Sequence, residues 1–161
     1  MSKKHKHHPT STSSPEDLRR RVDRARQEGR FQQALDLAKQ LHKHEPTPAH
    51  LDLLKDVYLG RARQLRNQGQ TRDALTVLDV AAQFAEATPA WLAQLAEEMA
   101  LCGEVKRTLP LIERIVDPAT ANRLLARVAD AAVQHGSERD TLPPTLRGDI
   151  DCLLRAFAQV E

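Results

Sequence analysis

Residues 29–48 read GRFQQALDLAKQLHKHEPTP, and this stretch decides the fold. Gly29 breaks one apolar pattern. Phe31, Ala34, Leu35, Ala38 and Leu41 then recur at the spacing of a helical stripe, which predicts a helix over roughly Arg30 to Lys43. His44-Glu45-Pro46 stops that helix, because the residue before a proline is driven out of the helical region. Thr47-Pro48 starts the next one: threonine can cap an orphan N–H of the first turn, and proline is tolerated where no intrahelical bond is lost.

The same marks recur on either side. Gly29, Gly69, Gly103 and Gly136 are separated by 40, 34 and 33 residues. Ser14-Pro15, Thr47-Pro48, Thr88-Pro89 and Asp117-Pro118 interleave with them as helix starts. A period near 34 residues with two helices per period predicts an all-α fold of antiparallel hairpins that stack on one another. The first helix carries Leu18, Val22 and Ala25, with Glu16 and Asp17 in the positive end of its dipole. A longer third helix carries Leu51, Leu54, Tyr58, Ala62 and Leu65, with Gly60 inside it. The fourth is expected over Thr71 to Glu86, with Ala74, Leu75, Leu78, Ala81 and Phe84. The fifth carries Trp91, Leu92, Leu95, Ala96 and Met99. The sixth holds Pro110, which is accommodated if that helix begins near Arg107, so that the proline falls in its first turn. Ala121, Leu124, Leu125, Val128 and Ala132 mark the seventh. Residues 1–13 are polar and too poor in apolar side chains to order themselves, a disordered basic and His-rich tail. Residues 14–136 form the repeats, and 137–161 hold a Pro143-Pro144 linker and a closing helix marked by Leu146, Ile150, Leu153, Leu154 and Phe157.

The run Gly29, Phe31, Ala34, Ala38, Leu41 and Pro46 resembles the second half of a tetratricopeptide repeat. In that family glycine turns the hairpin, an aromatic follows, a small residue lets the helices approach, and proline ends the unit. Gly69 with Ala74, Leu78 and Ala81 is similar, with Thr71 replacing the aromatic and Pro89 late. Gly103 with Val105, Ile112 and Ile115 is a poorer copy, carrying Thr108 at the small position. Trp91 and Ala96 stand where the family places a large and then a small residue, and Gly136 keeps a fourth turn. The resemblance covers three units and a degenerate fourth. It implies a right-handed α-solenoid whose concave surface, lined by the first helix of each pair, grips an extended or helical peptide.

Composition narrows the function classes. Cys102 and Cys152 alone give no disulfide framework and read as buried reduced thiols. Lys3, Lys4 and Lys6 are followed by no apolar run, so no secretory signal is read, and no stretch has the length of a membrane span; a cytoplasmic protein is expected. His42 and His44 point to different faces of a helix, His5, His7 and His8 sit in the tail, and His50 stands apart, so no metal or cofactor is expected. No nucleophile, base and orienting group are marked out, and Glu97-Glu98 and Asp149-Asp151 read as solvated helix faces; an enzyme is not expected.

Residues 1–30 contain nine Lys/Arg against four Asp/Glu, whereas the remaining 131 contain 15 against 18. Lys3, Lys4, Lys6, Arg20 and Arg24 thus form a basic patch with Arg19, Arg21 and Arg26 beside them. Asp17, Asp23 and Glu28 interleave, which favours ion pairs at i,i+3 and i,i+4 on a solvated face. The expected function is a non-catalytic protein-interaction scaffold, with Arg19, Asp23, Arg63, Arg66, Gln94 and Glu98 lining the groove. The alternative is a nucleic-acid accessory protein using the tail and the first helix. Self-association through the terminal helix follows if these units begin a longer array.

Overall fold

The computed structural model describes residues 14–84, 88–115 and 117–134. The tail with Lys3, Lys4 and Lys6, the fourth turn at Gly136, the closing helix, Cys152 and the Asp149-Asp151 pair lie outside the described residues. The described residues are helical and contain no strand: α1 (Pro15–Gln27), α2 (Phe31–His44), α3 (Pro48–Asn67), α4 (Thr71–Ala82), α5 (Pro89–Leu101), α6 (Val105–Ile112) and α7 (Pro118–Gln134). The chain divides into two compact units, Met1–Val57 and Tyr58–Glu161, and the division falls inside α3. No described helix is long and apolar enough to cross a membrane.

Every cap–proline pair marks a helix start. Ser14 Oγ accepts from Asp17 N at 3.2 Å, Thr47 Oγ1 from His50 N at 3.2 Å, Thr88 Oγ1 from Trp91 N at 3.2 Å and Asp117 Oδ2 from Thr120 N at 2.9 Å. Each side chain satisfies an N–H that the first turn otherwise leaves without a partner.

The three described glycine turns share one geometry. Gly29, Gly69 and Gly103 take φ of 69°, 75° and 86°, the left-handed region that only glycine enters cheaply. In each turn the residue after the glycine donates to a carbonyl five residues back: Arg30 to Ala25 at 2.8 Å, Gln70 to Leu65 at 2.9 Å, Glu104 to Met99 at 3.0 Å. Each glycine N–H closes an inner bond, to Arg26, Arg66 and Ala100, so two helix-end carbonyls are satisfied each time. Arg30, Gln70 and Glu104 then share φ near −90° and ψ near 57° before the next helix begins.

Burial repeats in the same register. Five residues after each glycine stand Ala34, Ala74 and Thr108, all at 0% exposure. Nine after stand Ala38, Leu78 and Ile112, and twelve after stand Leu41, Ala81 and Ile115, all buried. Four before stand Ala25, Leu65 and Met99, and seven before stand Val22, Ala62 and Ala96, again all buried. Thr108 fits its small position because its hydroxyl donates to the Val105 carbonyl at 2.6 Å, leaving no buried polar atom unpaired.

In the first unit α1 packs on α2. Glu45 is extended, as a residue before proline must be, and Pro46 ends the hairpin. In the second unit α5 is the hub, packed against α4, α6 and α7, while α6 also packs on α7. Trp91, Leu92, Leu95, Ala96, Met99 and Ala100 bury much of its circumference, as expected for a helix enclosed by others. The Tyr58 and Phe84 rings meet edge to face at 5.5 Å, joining α3 to the segment that follows α4.

Two expectations fail here. α4 ends at Ala82, short of Glu86: the Gln83 and Phe84 N–H groups tighten to carbonyls three residues back, the 3₁₀-type ending of a helix with no glycine cap. α6 starts at Val105, so Pro110 lies past the first turn. The ring and Lys106, whose carbonyl the missing N–H would have served, are both on the exposed side of the helix, and the helix stops two residues later.

Candidate functional site

Three of the six groove candidates come together in the second unit. Glu98 of α5 accepts from Arg63 Nε at 2.5 Å through Oε1 and lies 3.4 Å from Arg66 Nε through Oε2. The three residues stand 35 and 32 positions apart in sequence, about one repeat period. The Glu98 side chain is 6% exposed, against 46% for Arg63 and 28% for Arg66. Glu98 is therefore not on a solvated face, as its acidic neighbourhood suggested. It is a buried carboxylate with charge and hydrogen-bond partners on both oxygens, the condition for keeping an ion inside.

Glu97 faces the other way. Its Oε1 lies 2.5 Å from Arg127 Nη2 of α7, and again the acid is the hidden partner, 20% exposed against 64%. Residues of an α-helix are about 100° apart around the axis. Glu97 and Glu98 thus leave α5 on two flanks, with exposed Ala90 and Gln94 on the strip between them. Gln94, a fourth groove candidate, lies between the two ion-pair clusters. A shallow cleft of about 430 Å³ runs between α5 and α7, lined by Ala93, Glu97, Arg123, Leu124, Arg127 and Asp130 among others. A third long-range pair, Arg107 with Asp79, ties α6 to α4. Neither Glu97–Arg127 nor Asp79–Arg107 is evident from local sequence. The available signal is opposite charge about one period apart.

Cys102, one turn beyond Glu98, is buried, and that burial pushes its thiol above the ordinary range; nearby Arg66 works weakly against the shift. A thiol held protonated is a poor nucleophile.

The remaining groove candidates, Arg19 and Asp23, lie in the first unit. Exposed Arg19 borders a cleft with Pro15, Glu16, His44, Glu45 and His50. Asp23 is half-buried and 4.0 Å from Arg26. His50 serves the turn itself, its Nδ1 2.8 Å from the Glu45 carbonyl oxygen. Within the basic patch Arg20 pairs with Asp17, and beyond it Arg30, the residue before α2, pairs with Glu28. The interleaved acids thus neutralise part of α1, while exposed Arg24 has no ion pair among the described residues. The Arg20 hydrogen bond, followed by that to Ser14, holds the Asp17 carboxyl below its ordinary value. Thr120 does the same for Asp117 at the start of α7. No group of three or more His, Cys, Asp or Glu side chains suited to a metal ion occurs among the described residues. No protein-family model, curated protein or solved structure matches the chain.

Proposed function

We propose that the chain is a non-catalytic protein-interaction scaffold of tetratricopeptide-like hairpins that holds a peptide or partner helix along the outer strip of α3, α5 and α7. In this reading the hairpins stack as a right-handed solenoid, and Arg63, Arg66, Gln94 and Glu98 belong to its concave surface. One observation carries it: three turns of the same geometry, each followed by the same buried register, make equivalent units out of dissimilar sequences. Within the second unit, α5 touches the helix before it, its own hairpin partner and the first helix of the next pair, the nearest-neighbour packing of a repeat array. Ion pairs that skip one helix, α3 to α5, α5 to α7 and α4 to α6, fit the same plan.

A nucleic-acid role has weaker support. Pairing with Asp17 and Asp23 engages Arg20 and Arg26 of α1, and of the described aromatics Tyr58 and Trp91 are buried while Phe31 and Phe84 are half-buried, so none offers a fully exposed ring for base stacking. The test is affinity capture from native lysate with the wild type and with Gln94→Trp, each with and without nuclease. Partners that survive nuclease and are lost with Gln94→Trp support the scaffold and its surface. Recovery that collapses with nuclease, or that ignores the tryptophan, opposes it.

A further inference from the structure

The three ion pairs on the α3–α5–α7 strip share an asymmetry: in each the arginine side chain is the more exposed partner, 46% and 28% for Arg63 and Arg66 against 6% for Glu98, and 64% for Arg127 against 20% for Glu97. Arg63 and Arg66 offer Glu98 their Nε, and Arg127 offers Glu97 one Nη. A guanidinium has five N–H donors in a rigid fork, so each keeps donors unused by its carboxylate. The acids therefore fix the arginines while spare donors remain: two arginines on one Glu98 leave that flank one positive charge in excess, and the neutral Glu97–Arg127 pair offers its unused N–H groups. Fixing a long side chain in advance removes part of the entropy cost of binding.

We infer that this strip selects acidic peptides, with carboxylate side chains of the partner taken up by Arg63 and Arg66 on one flank of Gln94 and by Arg127 on the other. The inference rests on the scaffold reading and names the chemistry of its partner. Between the flanks the floor is small and partly apolar, with Ala90 and Ala93 on α5 and Leu124 on α7, suited to a short side chain or an aliphatic one. Asp130 on the same cleft repels a continuous phosphate backbone but tolerates spaced carboxylates. Charge complementarity and that interruption favour a peptide over a nucleic acid.

The test uses the full chain and three labelled twelve-residue peptides of alanine and leucine that carry four glutamates, four glutamines or four lysines. Binding is read by fluorescence anisotropy at low salt, with a single-stranded oligonucleotide as competitor. The glutamate peptide is expected to bind about tenfold tighter than the glutamine peptide, a margin that shrinks with salt. Arg127→Gln should remove most of that margin. Glutamine and glutamate peptides binding equally would overturn the acid preference and leave the scaffold standing. Binding of none of the three would overturn both. An acid preference that survives Arg63→Gln and Arg127→Gln but falls with Arg20→Gln and Arg24→Gln would move the contact to α1 and overturn the assignment. So would an oligonucleotide that binds the strip more tightly than the glutamate peptide.

Discussion

Arg63 of α3 donates to Glu98 of α5 at 2.5 Å, the carboxylate buried and the guanidinium half in water. The two ends of this pair differ in what they lose when left alone. Arg63→Gln/Arg66→Gln leaves a buried unpaired carboxylate, which costs about 3 kcal/mol. Adding Glu98→Gln to that double variant removes the charge and should recover more than half of the loss. Urea denaturation of the three proteins checks the order; a triple variant less stable than the double contradicts the burial of Glu98.

The glycine turns are tested by their backbone alone. A Cβ built at Gly29 or Gly69 meets nothing within 4 Å, so only the left-handed φ opposes a side chain. Gly69→Ala should cost about 1–2 kcal/mol, and Gly69→Asn distinctly less, because asparagine tolerates that region. Equal losses in chemical denaturation would mean that something other than φ fixes the turn.

Ala34, Ala74 and Thr108 hold the same place in their hairpins with no exposed surface. Leucine at any of the three should overpack the contact and cost about 1–3 kcal/mol, while Thr108→Ser should stay within about 1.5 kcal/mol. Thermal melts compare the four variants. Free acceptance of leucine at Thr108 alone would remove α6 from the register.

Asp117 titrates below its ordinary value because Thr120 hydroxyl and N–H groups bond its carboxylate. Folding thus lowers its pKa. The stabilisation is complete above the unfolded value near 3.8 and is lost as pH falls through the lower folded value. Asp117→Asn keeps a capping oxygen without the charge, so it should blunt the fall in melting temperature below pH 4 and change little at pH 7. An unchanged acid limb would place the acid sensitivity elsewhere.

The buried Cys102 thiol, pushed up by that burial, should resist alkylation in a Cys152→Ser variant until denaturant unfolds the chain. Mass spectrometry of iodoacetamide-treated protein reads this directly. Rapid labelling of the native chain would contradict the packing around α5.

The local parts of the fold were legible because their causes are local. Thr88-Pro89 fixes a helix start through one side-chain bond, and Gly69 fixes an end through one backbone angle. The errors arose where tertiary surroundings decide. Pro110 is a breaker by propensity, yet a solvent-facing ring near the end of a short helix is tolerated. Glu97 and Glu98 look alike in sequence, but enclosure of α5 by its neighbours buries one of them and pairs both with arginines 30 to 35 residues away. Arg63, Arg66, Gln94 and Glu98 were proposed by repeat position, and the structure brings Arg63, Arg66 and Glu98 together. Arg127 was missed, because nothing within a helical turn of it marks its partner.

The most direct test of the account is an amide and arginine-side-chain NMR titration of the 18.0 kDa chain with the glutamate peptide. The account predicts the largest shifts at Gln94, Glu97 and Arg127 and at Arg63 Nε, with α1 unaffected. Shifts concentrated around Arg20 and Arg24, or none at saturating peptide, would contradict a peptide-holding strip on α3, α5 and α7.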